Sequence, residues 1–365
     1  MCASRLIAAL VGVMLFAPMA SAQGFAAMGT DAEGFALPSR DTVLRFPRDH
    51  GAHPDFRIEW WYLTANLTGP DGRDYGIQWT LFRSALRPGD VPAAEGWRSP
   101  QVWMAHAALT TPDRHLHAER FARGGIGAAG VTALPFAAWI DDWRMESRAA
   151  PEADPLDALD LSARGDAFRY DLRLEAEGPL ALHGEDGFSV KTHDGRASHY
   201  YSQPHYRVSG IVETETGPVE VSGIGWLDRE WSSQPLAETQ SGWDWLALSF
   251  ESGEKLAVAR VRDGDDEFRA GTWIDIGGAT TALEGDEITL TPLARQWVEA
   301  ADAELPLRWR IEVPGHGVDI EARALNPDAW MGTSTPYWEG PVIVTGSHDG
   351  RGYLEMTGHG PPARN

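Results

Sequence analysis

From residue 58 onward the chain is a succession of short β-branched and aromatic runs, many closed by polar turns, and no long stretch shows a clean helical period. That grammar restricts the fold more than any other feature. Residues 58–67 form one such run; Gly69-Pro70-Asp71-Gly72 makes a turn, and residues 75–83 return as a second strand. Further runs lie at 101–109, 168–174, 206–212, 219–226, 243–250, 256–261, 272–276, 287–290, 318–322 and 341–345. Short strands with polar turns at close spacing predict a sandwich or barrel. The segments 113–130 and 149–161 are read as short helices or long loops. The chain also carries 16 Trp, large rings suited to filling or lining wide β-structures.

The N-terminus reads differently. Arg5 precedes an apolar stretch at 6–16, and Ala20-Ser21-Ala22 follows Pro18. This is the pattern of a secretory signal peptide cleaved after Ala22, which directs the protein to the periplasm or outside the cell. Residues 23–54, with many Gly, Pro and charged residues, read as a leader with little regular structure. The only cysteine is Cys2, inside the signal, so disulfides, thiolate metal sites and cysteine nucleophiles are not expected beyond it. With 365 residues the chain exceeds what one core usually fills. A net charge of −22 argues against nucleic acid and anionic lipid surfaces as partners. No later apolar stretch is long enough for stable insertion into a membrane as a helix.

A faint echo links Trp60-Trp61-Tyr62-Leu63 to Trp243-Asp244-Trp245-Leu246, each near the start of a β-rich half. It divides the chain near residues 230–241. Several motifs resemble those of one family: Glu59-Trp60-Trp61-Tyr62-Leu63, Ser198-His199-Tyr200-Tyr201-Ser202, Gly225-Trp226-Leu227-Asp228-Arg229-Glu230-Trp231, Gly242-Trp243-Asp244-Trp245, Tyr337-Trp338-Glu339-Gly340 and Gly352-Tyr353-Leu354-Glu355. The family is that of carotenoid 1,2-hydratase (hydroxyneurosporene synthase) and AttH-like secreted proteins. The resemblance implies an all-β protein of two tandem lipocalin-like β-barrel domains, at 55–232 and 233–365, with a cavity for an extended apolar ligand. It implies water addition to an isoprenoid C=C bond without a cofactor or metal. The family's His-x-Trp and Tyr-x-Asp motifs correspond to His199-x-Tyr201 and Trp226-x-Asp228, with both aromatics exchanged.

Such chemistry needs a carboxylic acid kept protonated by burial, aromatic faces to stabilise a carbocation, and a base to activate water. Asp228 is the candidate acid, with Trp226 and Tyr201 as cation-stabilising walls; His199 either orients it or takes the proton from water. Trp243, Trp245, Trp60, Trp61 and Tyr200 are the candidate ligand contacts. Structural readings stand beside these. Asp228-Arg229-Glu230 also fits a salt-bridge cluster, or Asp228 a turn cap. His199 also fits a satisfied core histidine, and Glu59 a buried ion pair with Arg57 or Arg83. His115-x-His117 places two rings on one strand face, with no third metal ligand in view. Neither G-x-S-x-G nor H-E-x-x-H occurs, so hydrolase motifs are lacking. Two functions follow: an enzyme adding water to a hydrophobic, lipid-like or isoprenoid molecule, or a non-catalytic lipocalin that carries one.

Overall fold

The computed structural model describes residues 33–89, 93–234, 237 and 239–359. The signal-peptide pattern at 1–22 and the start of the leader lie outside the described residues. The protein is all-β, with two antiparallel barrel-like sheets.

The first sheet contains β1 (Ile58–Thr68), β2 (Asp74–Ala85), β3 (Gln101–Thr111), β4 (Arg114–Arg123), β5 (Ala129–Ala133), β6 (Phe136–Ile140), β7 (Trp143–Ser147), β8 (Ala158–Arg164), β9 (Phe168–Ala176), β10 (Ala181–Leu182), β11 (Phe188–Val190), β12 (Ala197–Thr214) and β13 (Gly217–Ser232). Its order is β4-β3-β2-β1-β13-β12-β9-β8-β7-β6-β5, with β10 and β11 pairing to β12. Because β6 comes back against β3 and β4, the sheet curls into a nearly closed barrel. Closure leaves little exposed edge.

The second sheet contains β14 (Gln240–Phe250), β15 (Lys255–Asp263), β16 (Asp266–Ile274), β17 (Thr280–Leu283), β18 (Thr289–Val298), β19 (Ala303–Val313), β20 (Val318–Ala324), β21 (Trp330–Met331), β22 (Tyr337–Gly346) and β23 (Gly350–Met356). Its order, β17-β16-β15-β14-β23-β22-β20-β19-β18, forms a half-barrel.

Strand alternation assigns every side chain to one of two faces. In β1, Trp61, Leu63 and Ala65 point into the barrel, where Trp79, Trp103, Trp143, Tyr170 and Tyr206 join them. The barrel expected to enclose a ligand is thus filled by its own rings, as narrow barrels are. In the half-barrel, Leu246, Leu248, Trp309, Trp338, Leu354 and Met356 form a second core. The alternate residues of β1, β12 and β13 face those of β14, β15, β22 and β23, so the two sheets meet back to back. They approach closely at Gly76, where a Cβ would lie 2.6 Å from both Pro341 and the Tyr353 hydroxyl.

Two segments differ from the sequence reading. The expected helices or loops at 113–130 and 149–161 contain β4, part of β5 and the start of β8, and the described residues contain no α-helix. Arg114–Arg123 alternates with mostly half-buried side chains, so its apolar signal is weak. Among its described residues, 33–54, the leader has one 3₁₀ turn, at Arg48–His50 near the barrel, yet Asp49 and His50 are buried. His50 Nδ1 lies 2.6 Å from the Tyr201 hydroxyl, and Trp61 Nε1 donates to the His50 carbonyl at 3.0 Å.

Candidate functional site

The site is a cleft between the two sheets. Its walls come from β1, β12 and β13 on one side and from β14, β15 and β23 on the other. A hollow of about 170 Å³ is lined by Trp60, Tyr62, Tyr200, Asp228, Trp243, Trp245 and Glu355 among others. A second hollow, of about 240 Å³, shares Lys191, Tyr200, Trp245, Ala259 and Val261 with it. Together they make an aromatic trough carrying a few convergent polar groups, the usual make-up of a small-molecule site.

Asp228 lies on β13 with only 5% of its surface exposed. Its Oδ1 accepts from the Tyr200 hydroxyl at 2.8 Å, the Ser202 hydroxyl at 2.5 Å and the Trp226 indole at 2.9 Å. Its Oδ2 has no hydrogen-bond partner. Burial pushes the Asp228 carboxyl up to about 7, against the three donors, which favour its charged form. Ser202 is itself fixed. His183 Nε2 lies 2.6 Å from its hydroxyl, His183 Nδ1 lies 2.8 Å from Thr272 Oγ1 on β16, and the His183 ring stacks on Tyr200 at 3.8 Å. Burial, helped by the charge of Lys191, holds His183 down to about 3, so its imidazole is neutral at ordinary pH.

Across the hollow stands Glu355. Trp243 Nε1 donates to its Oε1 at 2.7 Å, and the Tyr62 hydroxyl adjoins it. Burial pushes this carboxyl up to about 7 as well, with the charges of Glu230 and Asp228 adding to the effect. Two carboxyls of similar proton affinity in one hollow discourage each other's ionisation, which favours one acid and one base at neutral pH. At the rim, Lys191 pairs with Glu230 at 3.2 Å and places its ammonium 4.3 Å from the Tyr200 ring centroid.

Of the residues singled out in the sequence, Asp228, Trp226, Tyr200, Trp60, Trp243 and Trp245 gather around this cleft. His199, Tyr201 and Trp61 do not. A strand turns neighbouring residues to opposite faces, and these three point toward the barrel. His199 Nε2 accepts weakly from the Ser39 amide at 3.5 Å, its Nδ1 is unpartnered, and burial holds it down to about 4. Tyr201 bonds His50. Trp61 lies 3.9 Å beneath the Arg229 guanidinium.

The proposed Asp228-Arg229-Glu230 salt-bridge cluster is split by the same alternation. Arg229 points into the barrel and binds Glu59 at 2.8 Å, while Glu230 faces Lys191. Glu59 pairs with Arg83 at 2.8 Å as well as with Arg229, not with Arg57. Burial opposes its charge, but His53, Arg83 and Arg229 hold its carboxyl well below the usual range. His115 and His117 stack on each other at 5.5 Å, and His115 Nδ1 lies 2.9 Å from the Thr110 hydroxyl. Sequence reasoning missed His183 and the two carboxyls Glu339 and Glu355, although both glutamates lie in the C-terminal motifs quoted above.

Fold and site together define a two-sheet β-protein whose aromatic cleft, bearing two uncharged-leaning carboxyls, lies between the sheets. The chain belongs to the AttH-like family, whose model matches residues 37–359. The crystal structure of an AttH protein from Nitrosomonas europaea superposes with a TM-score of 0.77 at 31% identity, covering 89% of this chain and all of the other. Kievitone hydratase from Fusarium solani subsp. phaseoli is 24% identical over 212 residues, 53% of this chain; the match spans 57% of that relative's length. The crystal structure of kievitone hydratase from Nectria haematococca shares the fold, with a TM-score of 0.64 at 13% identity over 89% of this chain and 98% of that one.

Proposed function

We propose that the cleft adds water to a carbon–carbon double bond of a hydrophobic small molecule, an isoprenoid or lipid-like alkene. The observation that carries the reading is Asp228: a buried carboxyl that titrates near 7, with one oxygen held by three donors and the other unbonded. The distant kinship with a hydratase supports it.

In this reaction the proton on Asp228 Oδ2 passes to one alkene carbon as the π bond breaks. The electron-rich faces of Trp60, Trp243 and Trp245 stabilise the cation left on the other carbon. A water oxygen bonds to that carbon while its proton goes to the Glu355 carboxylate. Tyr200, Ser202 and Trp226 then hold the negative charge on Asp228. The signal pattern at 1–22 supports action outside the cytoplasm, which N-terminal sequencing of the mature protein tests.

Turnover of an acyclic isoprenoid, followed by incorporation of labelled water oxygen, tests the chemistry. Asp228→Asn is expected to lower the rate by about 10²- to 10⁴-fold, the range for a lost general acid, and Glu355→Gln to lower it too. Unchanged turnover in Asp228→Asn refutes the reading. A co-purifying apolar molecule that leaves the protein unaltered would instead favour a carrier, a role the apolar trough also suits.

A further inference from the structure

Glu355 does not end at the cleft. The Tyr62 hydroxyl beside it donates to Glu339 Oε1 on β22. Glu339 is 1% exposed and its Oε2 has no hydrogen-bond partner of its own, while the Tyr337 hydroxyl adjoins the same carboxyl. The Tyr337 hydroxyl lies 2.9 Å from His106 Nδ1, and His106 Nε2 lies 3.0 Å from Glu119 Oε1. Glu119 has a side chain 20% exposed and is also bonded by Ser334. We infer that Glu355, Tyr62, Glu339, Tyr337, His106 and Glu119 form a proton path between the cleft and the solvent on the far side of the sheet interface.

The donor sequence has a consistent direction. A protonated Glu355 donates to the Tyr62 oxygen, and Tyr62 donates to Glu339. The Glu339 carboxyl passes its proton to the adjoining Tyr337 hydroxyl, Tyr337 donates to His106 Nδ1, and His106 Nε2–H donates to Glu119. Each group both accepts and gives a proton, so one proton entering at Glu355 releases another at Glu119. Burial disfavours charge on Glu339 and on His106, which keeps both in the neutral forms this sequence requires. A purely structural interface of this size has no need of a buried carboxyl with an unpaired oxygen, which is destabilising by itself.

The role rests on the hydration reading. Each turnover leaves an extra proton on Glu355 and removes one from Asp228. The path discharges Glu355 to solvent, and Asp228 regains its proton from water at the cleft mouth, so atoms and charges balance over the cycle.

The test needs no substrate, so its failure is separable from failure of the hydration reading. The infrared carboxylic-acid band of Glu339, assigned by its loss in Glu339→Gln, is followed after transfer of the full-length protein into deuterated water. Tyr62→Phe cuts the cleft side only, and the Glu339 band is expected to shift as fast as in the parent. Adding Tyr337→Phe or, independently, His106→Phe cuts the solvent side. Each double variant is expected to slow the shift by about tenfold, the factor matching one lost hydrogen bond. Two results would overturn the path: Tyr62→Phe alone slowing exchange as much as the double variants, or a folded double variant exchanging as fast as Tyr62→Phe.

Discussion

Replacing Asp228 with Asn should make the protein more stable at alkaline pH while abolishing most activity. The substitution is nearly isosteric, and an Asn oxygen can still accept from Tyr200, Ser202 and Trp226. The parent carboxyl titrates at about 7 when folded, against 3.8 for a free side chain. A folded-state value above the unfolded one means the folded chain holds its proton to higher pH. The neutral form is the stable one: its contribution is complete below 3.8 and is lost as pH rises through 7. About three pH steps at 1.36 kcal/mol each give a loss of about 4 kcal/mol between about pH 4 and pH 8. Asn has no proton to lose there. Urea unfolding followed by tryptophan fluorescence, at matched pH for both proteins, reads the difference directly. Glu339 and Glu355 remain in both and cancel to first order. Parent and variant curves that stay parallel from acid to alkaline pH would show that Asp228 is not held neutral, and the acid role would fall with that result.

Other expectations follow from neighbouring contacts. Glu59→Gln leaves the buried Arg83 and Arg229 without their carboxylate and should destabilise the barrel by about 3–5 kcal/mol, read by chemical denaturation; a loss below about 1 kcal/mol contradicts it. Trp226→Phe removes one donor to the Asp228 carboxylate, so the alkaline limb of the activity profile should move up by about one pH unit. A downward or absent movement counts against that bond. Tyr200→Phe should lower turnover, whereas His199→Gln should change it by less than about twofold, since only Tyr200 bonds Asp228. Equal effects would place the site on the wrong face of β12.

Much of the strand layout was legible because β-branched and aromatic runs alternate with strong turn signals. Asp228, Trp226 and Trp245 were legible as a group because they sit in two adjacent motifs that β13 and β14 bring together. Side-chain direction was not. Residues 197–204 are buried on both faces of β12, so the two-residue period that usually separates inside from outside vanishes there. With it vanished the means of choosing Tyr200 over His199, or Trp60 over Trp61. His183 and Glu355 reach the cleft from segments 45 residues upstream and 127 residues downstream of Asp228, a proximity set by sheet packing, which local pattern does not encode. β4 escaped notice for another reason: its Arg, His and Glu side chains lie on a half-solvated edge, where apolar periodicity is not required.

Asp228 and the wall it faces are carried by different sheets. Ala259 and Val261, on β15, shape the hollow without bonding to Asp228. On the proposed hydration reading, drift in the half-barrel would retune which molecule fits while the proton donor, anchored by β12 and β13, stays untouched. On that reading, proteins with the same reacting group would diverge in what they accept through exchanges of a methyl or two on the opposite bank.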